Sequence, residues 1–172
     1  NGTLTVTGNG AINTRGIFNY GDMTLTSGTI NAIDGNGGYG VRNYPDATFT
    51  MNGGTIATTL EDDNKVDKGG YDATPVRVDE GATATISLNG NELIGTAHKS
   101  VGAVIKNNGT LTITGGTISS TAANGGSAIV NNGTLTVNNA TLNGASNADG
   151  SWPSYTVNNT GVMTVDDATI TS

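Results

Sequence analysis

The chain has 172 residues, 27 of them glycine, with 34% hydrophobic and 5% aromatic residues, no cysteine and a formal net charge of −7. The acidic balance argues against nucleic acid or an anionic membrane surface as a partner held by bulk electrostatics. No disulfide scaffold is available, and no apolar run reaches membrane-spanning length, so no membrane insertion is expected.

So small an apolar share would mean disorder in an unpatterned chain, but this chain is strongly patterned. Asn1-Gly2-Thr3-Leu4-Thr5-Val6-Thr7 opens it, and the same chemistry returns at Asp22 to Ile30, Thr48 to Ile56, Thr83 to Asn89, Asn108 to Ser119, Asn132 to Asn143 and Val162 to Ile170. Recurrence every few tens of residues marks stacked repeats. In the clearest copy, Leu111 and Ile113 alternate with Thr110, Thr112 and Thr114, the period of a strand with one apolar face. Gly115-Gly116 breaks that strand and Thr117-Ile118 begins another. Upstream, Val104 to Lys106 predicts a third, closed by an Asn/Gly corner where left-handed backbone angles are tolerated. Three short strands and three turns make one coil of a parallel β-solenoid, whose few apolar side chains are buried only when coils stack. The expected fold is all-β, a single solenoid domain over 1–172 with about seven coils of three short strands each.

Aligned copies put Leu4, Met23, Phe49, Ala84, Leu111, Leu135 and Met163 in one core column, with Val6 through Val165 two positions on. The short strand adds Ile12, Ile30, Ile56, Leu93, Ile118, Leu142 and Ile170. The first strand adds Ile17, Val41, Val76 or Val78, Ile105, Ile129 and Val157. Asn19, Asn107, Asn131 and Asn159 share one offset, and Asn43 joins them if Pro45-Asp46 is a local insertion. Stacked asparagines hydrogen-bond from coil to coil, so this column predicts a structural ladder rather than a ligand site.

Nearly all variation in repeat spacing falls between the Thr-Ile strand of one coil and the first strand of the next, where a rigid scaffold can carry variable surface. The longest insertion brings Glu61, Asp62, Asp63 and Asp67 together. A Ca²⁺ ion wants six to eight oxygens, but the spacing matches no calcium-loop pattern, and a solvated acidic loop is the plainer reading. No cofactor is expected. Tyr39, Tyr71 and Trp152 lie in the insertions with Tyr155 just beyond, and exposed aromatic faces suit a carbohydrate or protein partner. Tyr20 and Tyr44 each follow a ladder position and are placed to stack. Arg42, Arg77 and Lys106 predict an outward basic column, neutralised by Asp46, Asp79 or Glu80 or else open to an anion.

For catalysis the single His98 has no nucleophile arrangement, and Asp166-Asp167 is the one paired carboxylate on a regular strand edge; no catalytic residue is assigned. Threonines fill the outward face of the central strands, a pattern that resembles the ice-binding face of some solenoid antifreeze proteins.

The repeat Asn-Asn-Gly-Thr-Leu-Thr-Ile-Thr-Gly-Gly-Thr-Ile resembles the repetitive right-handed parallel β-helix regions of large bacterial cell-surface proteins, similar to autotransporter-type adhesin passengers and to pectin-lyase-like solenoids. The resemblance implies a secreted rod displayed on the bacterial surface, a piece of a longer repetitive protein. Function is expected to be cell adhesion, with a host or environmental glycan or protein as partner, and self-association besides. A fragment of a carbohydrate-active β-helix enzyme and an ice-binding solenoid are the alternatives.

Overall fold

Aliphatic residues at every second position, separated by threonine, favour short strands, and Asn or Gly pairs favour the corners between them. The computed structural model describes residues 3–7, 15–34, 39–60, 74–95, 103–121, 124–147 and 155–172. These form strands without any helix. An initial strand β1 (Thr3–Thr7) precedes β2 (Arg15–Asn19), β3 (Asp22–Leu25) and β4 (Thr29–Asp34). The next coils are β5 (Tyr39–Asn43), β6 (Thr48–Met51) and β7 (Thr55–Leu60), then β8 (Thr74–Val78), β9 (Thr83–Ser87) and β10 (Glu92–Gly95). They are followed by β11 (Ala103–Asn107), β12 (Thr110–Thr114) and β13 (Thr117–Ser120), and by β14 (Asn124–Asn131), β15 (Thr134–Asn138), β16 (Thr141–Asn143) and the short β17 (Ala145–Asn147). The last coil is β18 (Val157–Asn159), β19 (Val162–Asp166) and β20 (Thr169–Thr171).

Strands at the same place in successive coils pair in parallel, which makes the chain a β-solenoid of the parallel β-helix kind. The central face runs β3-β6-β9-β12-β15-β19, and the first-strand face runs β2-β5-β8-β11-β14 with β18 beyond. On the first-strand face β17 folds back antiparallel onto β14, pairing Asn124 with Asn147 and Gly126 with Ala145. The third face is divided into β1-β4-β7 and β10-β13-β16-β20.

The coil count is lower than the seven expected. Four successive coils, from β8 to β20, are continuously paired on all three faces. Two causes account for the difference. First, β1 is not a central strand: it pairs with β4, setting Leu4 against Ile30 and Thr3 against Thr29, because Thr-Leu-Thr-Val and Thr-Ile-Asn-Ala have the same alternation. Leu4 therefore belongs to the short-strand register. Second, the turn from Ile86 to Leu93 is longer than those from Met51 to Ile56 and from Ile113 to Ile118. Asn89 and Gly90 adopt positive φ there, and the ladder between β7 and β10 is lost at the same place. Ile12 lies outside the described residues.

The core is the narrow column expected through the inner coils, but Val165 and Ile170, which the pattern placed in it, are exposed on the last coil. Phe49, Met51, Ile56, Ile86, Leu93, Ile105, Leu111, Ile113, Ile118, Ile129 and Leu135 are all fully buried. Register decides between the two valines: Val76 lies between Val41 and Ile105 in the core column.

Corners stack as closely as strands do. Thr83 N donates to Ala47 O, Thr110 N to Ala82 O, Thr134 N to Gly109 O and Val162 N to Gly133 O, so the hydrogen-bonded column continues through the turn. At the next corner Gly115, Asn139 and Asp167 occupy one position with positive φ, the conformation that glycine, asparagine and aspartate tolerate best.

Candidate functional site

Alternation on the first-strand face sends one residue in two outward, and the parallel register aligns those residues into columns. Phe18, Arg42, Arg77 and Lys106 form the first, since Phe18 pairs with Arg42, Arg42 with Arg77 and Arg77 with Lys106. The basic column read from the sequence is therefore present. Two residues further on, at the corner, a second column holds Tyr20, Tyr44, Asp79, Asn108, Asn132 and Thr160. Its backbone is tied coil to coil: Tyr44 N donates to Asn19 O, Asp79 N to Asn43 O, Asn108 N to Val78 O, Asn132 N to Asn107 O and Thr160 N to Asn131 O.

Between the columns lies the asparagine ladder, with its side chains turned inward. Asn19 Nδ2 donates to Asn43 Oδ1, Asn107 Nδ2 to Asn131 Oδ1 and Asn131 Nδ2 to Asn159 Oδ1, each at 2.7 Å. Each amide also reaches the carbonyl that opens the next central strand: Asn19 to Thr48, Asn43 to Thr83, Asn107 to Thr134 and Asn131 to Val162. Pro45-Asp46 is a local insertion: Ala47 N closes onto Tyr44 O, and Asp46 takes a positive φ. The ladder is interrupted once. Val78 stands in register between Asn43 and Asn107, so Asn43 turns its second amide hydrogen to Ala47 O instead.

Asp79 resolves the repulsion within the basic column. Its carboxylate accepts from Arg42 Nε at 2.8 Å and from Arg77 Nε at 2.7 Å, and the residue is buried. Of the three acids that sequence offered as neutralisers, this is the one that bridges the arginines. Arg77 also donates to the Tyr39 hydroxyl at 2.8 Å. Burial opposes the Arg77 charge, but the Asp79 and Tyr39 contacts outweigh it and hold the guanidinium pKa above its usual value. Burial pushes the Lys106 ammonium below its usual value. The Arg42 guanidinium carbon lies 4.4 Å from the Tyr44 ring centre, a cation–π geometry. Tyr20 stacks on Tyr44 at 4.3 Å and Phe18 tilts against it at 5.4 Å, as the sequence placed the two tyrosines.

Beside this cluster opens a cleft of about 530 Å³ lined by Arg42, Pro45, Arg77, Asp79, Glu80, Asn108 and Asn132. Asn132 Nδ2 donates to Asn108 Oδ1 at 2.8 Å on its rim, and Thr160 Oγ1 donates to Asn132 Oδ1 at 2.7 Å. Tyr39, Arg42 and Arg77 are thus drawn together. Lys106 continues the column outside the cleft lining. Tyr155 stands apart and is exposed, just before β18. Tyr71, Trp152 and the acidic group Glu61, Asp62, Asp63 and Asp67 lie outside the described residues. Tyr20, Asp79, Asn108 and Asn132 were not among the predicted site residues. Their signal was a common offset, one residue past the ladder position, which the sequence reading used for Tyr20 and Tyr44 but not for Asp79, Asn108 and Asn132.

The outward side chains of the central face form a threonine array. Thr24, Thr50, Thr85, Thr112, Thr136 and Thr164 pair successively without interruption. The adjoining column, Thr48, Thr83, Thr110 and Thr134, ends at Asp22 on one side and Val162 on the other. Asp166 and Asp167 are both exposed, and Asp167 fills the corner conformation described above. Comparison with protein-family models, curated proteins and solved structures found no match.

Proposed function

We propose that this chain is a binding and structural module of a bacterial surface adhesin, displayed outside the cell on a longer repetitive protein. The observation that carries the reading is the division of labour within each coil. Stacked strands hold the backbone in register, and the longest connections run from the third strand of one coil to the first strand of the next. A backbone ordered in advance presents side chains with little further ordering cost on binding. Recognition in this reading needs no chemistry. Asp166 closes β19 and Asp167 fills the turn, and Asp167→Asn leaves any binding unchanged.

The test is a screen of glycans and host-surface proteins against the chain and against a control carrying Trp152→Ala with residues 61–71 deleted. A specific hit lost in the control supports a recognition module that binds through the variable edge. A folded, monomeric protein that binds nothing in the screen leaves only a spacer.

The uninterrupted threonine column favours a second reading, ice binding, because it offers methyl and hydroxyl groups at regular spacing on a stiff face. Crystal shaping in freezing solutions, abolished by Thr112→Tyr, is the outcome that reading requires. Its absence removes it.

A further inference from the structure

The two outward columns of the first-strand face carry chemistry that the loop-centred reading leaves unused. At one end the Tyr20 side chain is 69% exposed while it stacks on Tyr44. Next comes the cleft, lined by the two arginines and by Asp79 and Glu80, with Asp79 bonded to both guanidiniums. At the far end the Asn108 and Asn132 amides are exposed or half-buried and bonded to each other.

Charge balance narrows the ligand. Two cations and two anions line the cleft, so no net charge there selects an ion, and a chain of net charge −7 repels a polyanion at long range. What the lining does offer is donors and acceptors side by side: guanidinium and amide N–H groups next to carboxylate and amide oxygens. Hydroxyl groups, which both donate and accept, match such a lining. A sugar ring adds an apolar C–H face that suits the open side chain of a stacked tyrosine.

Shape narrows it further. The cleft volume falls in the range of about 300–1,000 Å³ usual for small-ligand sites. The second column repeats once per coil, about 4.8 Å apart, so Tyr20 to Asn132 extends over roughly 19 Å along the rod. That is a track for a chain of rings rather than a pocket for one. Asp79, bonded to both arginines, fixes the two guanidiniums in place before any ligand arrives.

We propose that this strip, from Tyr20 through the Arg42–Arg77–Asp79 cleft to Asn132, binds a linear neutral oligosaccharide lying along the rod axis. The inference rests on the recognition-module reading and moves its site from the insertions to the regular face.

Titration calorimetry and saturation-transfer NMR on the 172-residue chain test it, with gluco-, manno- and xylo-hexasaccharides as neutral probes and a hexagalacturonate as the charged comparator. Binding of at least one neutral hexasaccharide is expected. Tyr20→Ala and Asn132→Ala should each weaken it about tenfold or more, with unchanged circular dichroism, since both side chains are exposed and outside the core. Unweakened binding in both variants overturns the strip while leaving a glycan-recognition module in place. Binding of the hexagalacturonate alone overturns the neutral ligand. If no sugar binds, the inference fails, and the host-protein screen still decides whether the chain recognises anything.

Discussion

Gly133 and Gly21 occupy the same position in different coils, yet their surroundings differ. A Cβ on Gly133 would stand 2.1 Å from Gly109 O, whereas one on Gly21 meets nothing within 4 Å among the described residues. Gly161 repeats the first case against Gly133 O, and Gly109 is closed off by Ala82 O and Asp79 O. The glycine of Asn-Asn-Gly-Thr is therefore needed for coil spacing: the carbonyl of the coil below occupies the place of a side chain. Gly133→Ala should destabilise the protein by about 1–3 kcal/mol through overpacking. Gly21→Ala should be neutral, or stabilising by about 0.4–1 kcal/mol through the unfolded chain. Urea unfolding of the two variants checks the contrast, and equal effects would show that the corners are not in contact.

Within a strand, polar side chains act through their neighbours in the stack. Asn107→Ala removes the donor to Asn131 Oδ1 and Thr134 O and deprives the buried Asn131 oxygen of that partner, at a cost of about 1–3 kcal/mol measurable by thermal unfolding. Asp79→Asn releases two guanidiniums one strand apart and should cost about 1–3 kcal/mol. Most of that loss should be recovered when Arg42 is also replaced by Met, because the like-charge pair is then gone. Lys106 gives a pH signature. Its folded-state value lies below the usual 10.5 through burial, so between the two values the unfolded chain holds more protons than the folded one. Stability therefore rises with pH across that window and is lower below it. Lys106→Met should abolish the rise, as followed by chemical denaturation from neutral to alkaline pH.

For the whole stack, the interrupted third face and the last coil set the pattern of stability. No ladder joins β7 to β10, so amide exchange along that seam should be faster than along β13 and β16, which are paired on both sides. Uniform protection across the third face would contradict this. Val165 and Ile170 are 44% and 45% exposed, while Val137 and Leu142, their register partners one coil back, are fully buried. Leu142→Ala should accordingly cost about 2–5 kcal/mol and Ile170→Ala well under half of that. Each coil is stabilised by its neighbour, and the difference between the two substitutions measures how much.

Period-2 alternation, Gly and Asn corners and their recurrence determined the class of fold, because strand, turn and stacking rules act on short stretches that repeat. The asparagine column, the Tyr20–Tyr44 pair and the outward arginines were legible for the same reason: a fixed offset in sequence becomes a fixed column once coils stack in parallel. Three things were decided only by the tertiary structure. Thr3-Leu4-Thr5-Val6 fits the central and the third strand equally well by pattern, and pairing with β4 settled its place. Val76 and Val78 were alternatives for one core column by pattern, and register put Val76 in that column and Val78, also fully buried, at the ladder position. The cleft at Arg42, Arg77 and Asp79 draws on residues from different coils, and no spacing within one repeat reports how side chains from neighbouring coils meet. Local periodicity specifies the coil, whereas the surface a ligand would meet depends on which side chains the stacking brings side by side.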